Sequence, residues 1–188
     1  MIGLLKDFWR NARSEISRVE QQVDYSVPAD LAIYRRYLAG ETITLEELAG
    51  DWYHIIGRTT AGGIAVHRFR VFDLPLPDYQ KYEIDWGYLV GARFGQQTWA
   101  IRRPLYADLL AQEGLSACDF WTFDKQSFLL VNYDDKGDWL GESEVVDNPE
   151  YMKLKKALEL VSHHAVSLDA FLSSVGYVPT KHSAVIFP

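Results

Sequence analysis

The chain has 188 residues, 48% hydrophobic and 24% charged, a balance that excludes an intrinsically disordered polypeptide and suits one domain with its own core. Nineteen basic against 26 acidic side chains leave a net charge of −7, which argues against a protein coated in nucleic acid. The single Cys118 excludes an internal disulfide, and the sequence has neither an apolar run of membrane-spanning length nor a signal-peptide pattern, so a cytoplasmic protein is expected.

Leu5, Phe8, Ala12, Ile16 and Val19 recur at helical spacing and predict an amphipathic helix within residues 1–22. Such a helix is an appendage that could pack on its own domain, on a second copy in a homodimer, or on a partner. A second helix is expected from Pro28, with Leu31, Tyr34 and Leu38 on one face and Gly40 as its stop. Thr44 and Glu47 have capping-box spacing and open a third, whose stripe runs Leu45, Leu48, Trp52, Ile55 and Ile56 up to Gly62 and Gly63.

From Ile64 to Phe72 the period changes to that of a strand, with Arg68 and Arg70 on the same face. A helix carrying Tyr79, Tyr82, Trp86 and Leu89 follows the Pro75–Pro77 turn. Residues 98–102 form a second strand, and Pro104 opens a helix with Leu105, Leu109 and Leu110 that stops at Gly114. The last third is strand-rich: residues 120–123, 127–133 and 139–146, the latter two joined by an acidic hairpin turn. Asn148-Pro149 opens a helix with Tyr151, Leu154, Leu158 and Val161 buried, and Ser167 caps a last short one. The fold expected is a single α+β domain over residues 1–179, a mixed central sheet with flanking helices, followed by a loose tail over 180–188.

Motifs of chemistry are scarce. The adjacent His163 and His164 point about 100° apart on a helix and do not share an ion easily, so no metal and no cofactor is expected. Asp134, Asp135 and Asp138 crowd one turn without the spacing of a calcium loop. Neither a nucleophile elbow nor a phosphate-cradling glycine loop occurs, which leaves the question of an enzyme open. Charge is uneven, however. Residues 52–103 hold seven basic and four acidic side chains, and residues 104–150 two and eleven.

The most informative stretch is 67–86. Arg68 and Arg70 share a strand face, and Glu83 follows among Tyr79, Tyr82 and Trp86 on a helix. Together with Trp121 these residues would make a pocket in which arginines hold a small anionic or nucleotide-like ligand against rings. The alternative is an internal Arg–Glu pair knitting strand to helix. In 119–124 the alternation puts rings on both faces of a strand, the pattern of a central, doubly covered one.

Several of these stretches resemble an uncharacterised family of actinobacterial proteins, a domain of unknown function. They are Arg35 to Gly40, Arg68 to Val71 leading through Pro75 to Asp78-Tyr79 and Tyr82-Glu83, Asp119-Phe120-Trp121, and Tyr133-Asp134-Asp135 with Gly137, Gly141 and Asp147. The resemblance spans residues 14–170. It implies a regulatory role, because such proteins are often encoded beside small helix-turn-helix regulators, and it implies no catalytic residue. Asp73-Leu74 and His67 depart from the pattern that the family carries there.

The first functional expectation is therefore a non-catalytic, regulatory binding protein. It would meet a protein partner, such as a helix-turn-helix transcription regulator, through the acidic Asp134, Asp135 and Asp138. The second is a ligand-binding protein or enzyme using Arg68, Arg70, Tyr79, Tyr82, Glu83 and Trp121. Nucleic-acid binding ranks last, and no membrane contact is expected.

Overall fold

The computed structural model describes residues 3–25, 28–134, 138–181 and 184–187. Helix α1 (Leu4–Asn11) leads directly into strand β1 (Glu15–Glu20). The helix expected to reach residue 22 thus ends eleven residues early, at Asn11. Ile16 and Val19 are three apart, which serves one helix face or the two faces of a strand equally well. Here they bury on opposite sides of the sheet, Ile16 against α1 and Val19 against later helices. Both faces of β1 are covered, so its hydrophobic pattern does not alternate.

Helix α2 (Pro28–Ala39) ends at Gly40, and the short strand β2 (Ile43–Thr44) runs into α3 (Leu45–Ala49). The Thr44 hydroxyl accepts from the Glu47 N–H, and the Glu47 carboxylate accepts from the Thr44 N–H, closing the capping box. The expected long third helix is broken at Gly50, whose φ of 50° lies in the left-handed region, and restarts as α4 (Trp52–Ala61). Strand β3 (Ala65–Phe72) follows. The next helix comes in three pieces: α5 (Asp78–Tyr82), a π-helical turn (Glu83–Tyr88) and α6 (Leu89–Ala92).

Strand β4 (Gln96–Arg102) leads into α7 (Arg103–Gln112), whose buried positions are Tyr106 and Leu110; Leu105, expected on that stripe, is exposed. Strands β5 (Phe120–Phe123), β6 (Ser127–Tyr133) and β7 (Trp139–Glu144) form a meander. Helix α8 (Asn148–His164), strand β8 (Val166–Ser167) and α9 (Leu168–Val175) follow. The final strand β9 (Val185–Ile186) pairs in parallel with β2, so the segment expected to be loose is tied down at Val185.

The seven-stranded sheet has the order β7-β6-β5-β1-β3-β4-β8, with β1, β3 and β4 parallel and every other pairing antiparallel. Helices α1 to α6 cover one face and α7 and α8 the other, while α9 closes the β4 edge with Phe171 stacked on Phe72 at 4.8 Å. The architecture is the α+β class expected, one mixed sheet flanked by helices. Ser167 caps α9 as its sequence implied, accepting from the Ala170 N–H at 3.3 Å.

Candidate functional site

Strands β1 and β3 carry charge into the middle of the sheet. Their parallel register sets Arg18 beside Arg68 and Glu20 beside Arg70, and the antiparallel register with β5 sets Trp121 on the other side of Arg18. Three guanidiniums therefore crowd one face of two adjacent strands, where unpaired charge is costly. The chain answers with its own carboxylates. Glu20 takes Arg68 in a very short ion pair and Arg18 at 3.2 Å. The Arg70 Nε donates to Glu83 Oε2 at 3.0 Å, a second Arg70 nitrogen reaches the same oxygen, and the rest of the group donates to the Glu20 and Gln22 carbonyls.

Ring faces complete the enclosure. Arg18 and Arg68 each lie 5.1 Å from the Trp121 ring, and Arg70 lies 5.2 Å from Tyr25. Tyrosine hydroxyls supply further donors. Tyr25 donates to Asp119 Oδ2 at 2.6 Å, and Tyr133 to the same oxygen at 3.2 Å. Tyr79 and Tyr82 both donate to Asp30 on α2, Tyr82 at 2.6 Å. Tyr88 bridges Glu20 at 3.0 Å and Glu83 at 3.2 Å.

That bridge depends on the π-helical turn. Glu83 and Tyr88 are five residues apart, which places them on different faces of an α-helix. The wider π turn brings residues i and i+5 together, so both side chains aim at β1 and β3. Burial pushes the Glu83 carboxyl up to about 7, against the pull of Arg70. Glu20 is held low: burial opposes its charge, but Arg68, Arg18 and Arg70 prevail. Asp119 is raised by burial.

The network forms the floor of an open cavity of about 650 Å³, roofed by α2 and α3 and walled on one side by β6 and β7. Arg18, Glu20 and Glu83 lie at its base, Tyr25, Tyr79 and Tyr133 along its sides, and Trp139 and Glu142 toward β7. A smaller space of about 210 Å³ continues over Arg68, Tyr82 and Tyr88.

Of the residues singled out from sequence, Arg68, Arg70, Tyr79, Tyr82 and Glu83 do converge, and Trp121 supports two of the arginines from beneath. The anion expected at Arg68 and Arg70 is supplied by the chain itself, as Glu20 and Glu83. Arg70 is 0% exposed and touches no open space. Asp134 and Asp138 are exposed and close the hairpin loop after β6: the Asp138 N–H donates to Asp134 Oδ1 at 2.9 Å. Asp135 lies outside the described residues.

Arg18, Glu20, Tyr25, Asp30, Tyr88, Asp119 and Tyr133 were missed as site residues. A signal existed for two of them. Once residues 15–20 are read as a strand, Arg18 and Glu20 fall on one face, as Arg68 and Arg70 do. Asp119 and Tyr133 stand in stretches that carry the family resemblance, whereas Asp30 comes from a segment far away in sequence and nothing local points to it.

Burial raises the Cys118 thiol to about 12, which removes it as a nucleophile. Among the described residues, no group of three or more His, Cys, Asp or Glu side chains could hold a metal ion, and no helix is long and apolar enough to cross a membrane. A family model described as "Domain of unknown function (DUF6879)" matches residues 4–173. No curated protein and no solved structure matches the chain.

Proposed function

The chain belongs to the family described as Domain of unknown function (DUF6879), and from its geometry we propose a binding protein that takes a small polar molecule in the cavity between α2, α3 and the β6–β7 hairpin. One observation carries this reading. A cavity of about 650 Å³, within the range of small-molecule sites, opens onto a floor of buried charge that costs stability to assemble. A fold needing only a core at this place would fill it with apolar side chains. Native mass spectrometry of protein purified gently from its own host tests the reading. An added mass that leaves on denaturation supports it, and a bare chain opposes it. Tyr133→Ala, which removes one wall, is expected to lose that mass while keeping its fold.

A second reading rests on the edge strand. Among the described residues β7 is an edge strand of the sheet, and it leaves Trp139 46% and Leu140 68% exposed beside Asp134 and Asp138. An acidic edge with apolar side chains suits a basic protein partner, such as the helix-turn-helix regulator that the sequence resemblance suggests. Reversing Asp134, Asp135 and Asp138 to lysine would abolish that association. Unchanged affinity would exclude this edge as the contact.

A further inference from the structure

Resting on the cavity reading, we infer that the cavity's ligand is an organic cation, an ammonium or guanidinium group on a short apolar or aromatic body. The cavity has ring walls: Tyr25, Tyr79, Tyr133 and Trp139 all line it. Ring faces attract cations, and they do so more strongly where water is partly excluded.

The wall's charge has the matching sign. Among the described residues Arg18 is the one cation lining it, against the carboxyl groups of Glu20, Asp30, Glu47, Glu83 and Glu142. Three of these are already matched by the chain's own arginines: Glu20 by Arg68 and Arg18, Glu83 by Arg70, and Glu47 by Arg36 at 3.0 Å. Asp30 and Glu142 are different. Among the described residues Asp30 accepts from the Tyr79 and Tyr82 hydroxyls alone, which carry no charge. Glu142 stands on β7 opposite Val131, within reach of Arg18's field but, among the described residues, in no ion pair. The two stand on separate elements of the wall, α2 and β7.

An anion entering this space would meet the carboxylates of Glu20, Asp30, Glu47 and Glu142 beside the Glu83 carboxyl, and among the described residues its one cation would be Arg18, already leaning on Glu20 and lying 3.9 Å from Asp119. Of the arginines that made an anion attractive in the sequence, Arg70 touches no open space and is paired with Glu83, and Arg68, which lines the smaller cavity, is paired with Glu20. A cation, by contrast, meets two uncompensated carboxylates and several ring faces. Small cavities lined by one sign of charge concentrate ligands of the other.

The test uses the full chain and three probes: agmatine, which carries a guanidinium and an ammonium; adipate, a dianion of similar length; and hexanediol, its neutral counterpart. Isothermal titration calorimetry and thermal melts are expected to give saturable binding of agmatine alone, weakened by added salt. Asp30→Asn and Glu142→Gln, each of which keeps shape and removes charge, are each expected to weaken it about tenfold. Glu159→Gln, on the remote helix α8, is expected to leave it unchanged. Saturable binding of adipate or hexanediol without agmatine would overturn the cation and keep the cavity as a site. Agmatine binding insensitive to both cavity variants would overturn the assignment. No response to any probe would also overturn it, and the co-purified mass then decides whether the cavity reading falls too.

Discussion

Glu83 sits where several demands meet. Arg70 on β3 draws it toward its charged form, while burial, Glu20 on β1 and Asp30 on α2 push it toward its neutral form. Tyr88 has one proton to give and two carboxylates within reach, so it satisfies both only when one of them carries a proton. Glu20, held low by its arginines, is not that one; Glu83 is the group that takes it as the pH falls through about 7. Its carboxyl is raised from 4.5 to about 7 in the folded chain, so the folded state binds the proton more tightly than the unfolded state. The stability this contributes is fully present below about 4.5 and is lost as pH rises through about 7, up to about 3 kcal/mol in all. Glu83→Gln, which stays neutral, is expected to flatten that decline. Urea midpoints at pH 5, 6, 7 and 8 for both proteins read the effect. Parallel curves would mean that another group carries the proton.

At the scale of elements, the π-helical turn is the least legible and the most consequential. The stripe Tyr79, Tyr82, Trp86 and Leu89 fits a regular helix, and nothing in residues 83–88 forces an extra residue into the turn. The tertiary gain is what selects it, by aiming Glu83 and Tyr88 at the same arginine-bearing strands. The early end of α1 was hidden for a related reason. Ile16 and Val19 suit a helix face, and only the covering of both sheet faces makes them a strand. Strands β3, β5 and β6, the α3 capping box and the α8 stripe were readable because each carries its signal in neighbouring residues. The site was half readable for the same reason: Arg68, Arg70, Tyr79, Tyr82 and Glu83 lie within one short stretch, whereas Asp30 and Asp119 reach it only through the fold.

The π turn also carries a glycine that its backbone does not need. A Cβ at Gly87 would meet no atom within 4 Å, and its φ is not positive. Glycine inside a helix costs backbone entropy relative to alanine. Gly87→Ala is therefore expected to stabilise the protein by about 0.5–1 kcal/mol, raising the melting temperature by roughly 1–4 °C. A lower melting temperature would mean that the open space beside Gly87 is filled in the working protein, as a ligand reaching into the smaller cavity would fill it.

Over the whole molecule, charge and chain ends tell one story of wrapping. The excess of cations in residues 52–103 does not become a basic patch built on Arg68 and Arg70, because the fold pairs them with Glu20 and Glu83. Residues 181 and 184–187 then lie against the face that covers the network. The Trp86 indole N–H donates to the Lys181 carbonyl at 2.8 Å, and the Lys181 ammonium donates to the Tyr37 carbonyl at 3.0 Å. Val185 is buried against the core beside Ile43, and Phe187 stacks on Phe94. This strap lies beyond residue 173, where the family match stops, so the matched segment alone leaves the Trp86 donor and the Ile43 side chain without cover. Removing residues 181–188 gives up one buried aliphatic side chain and leaves one buried donor unpaired, a loss on the order of 3–5 kcal/mol. The shortened chain is expected to keep its far-ultraviolet circular dichroism, since the seven-stranded sheet ends at β8, and to melt roughly 10 °C lower. An unchanged melting temperature would mean that the strap rests on a core already complete without it.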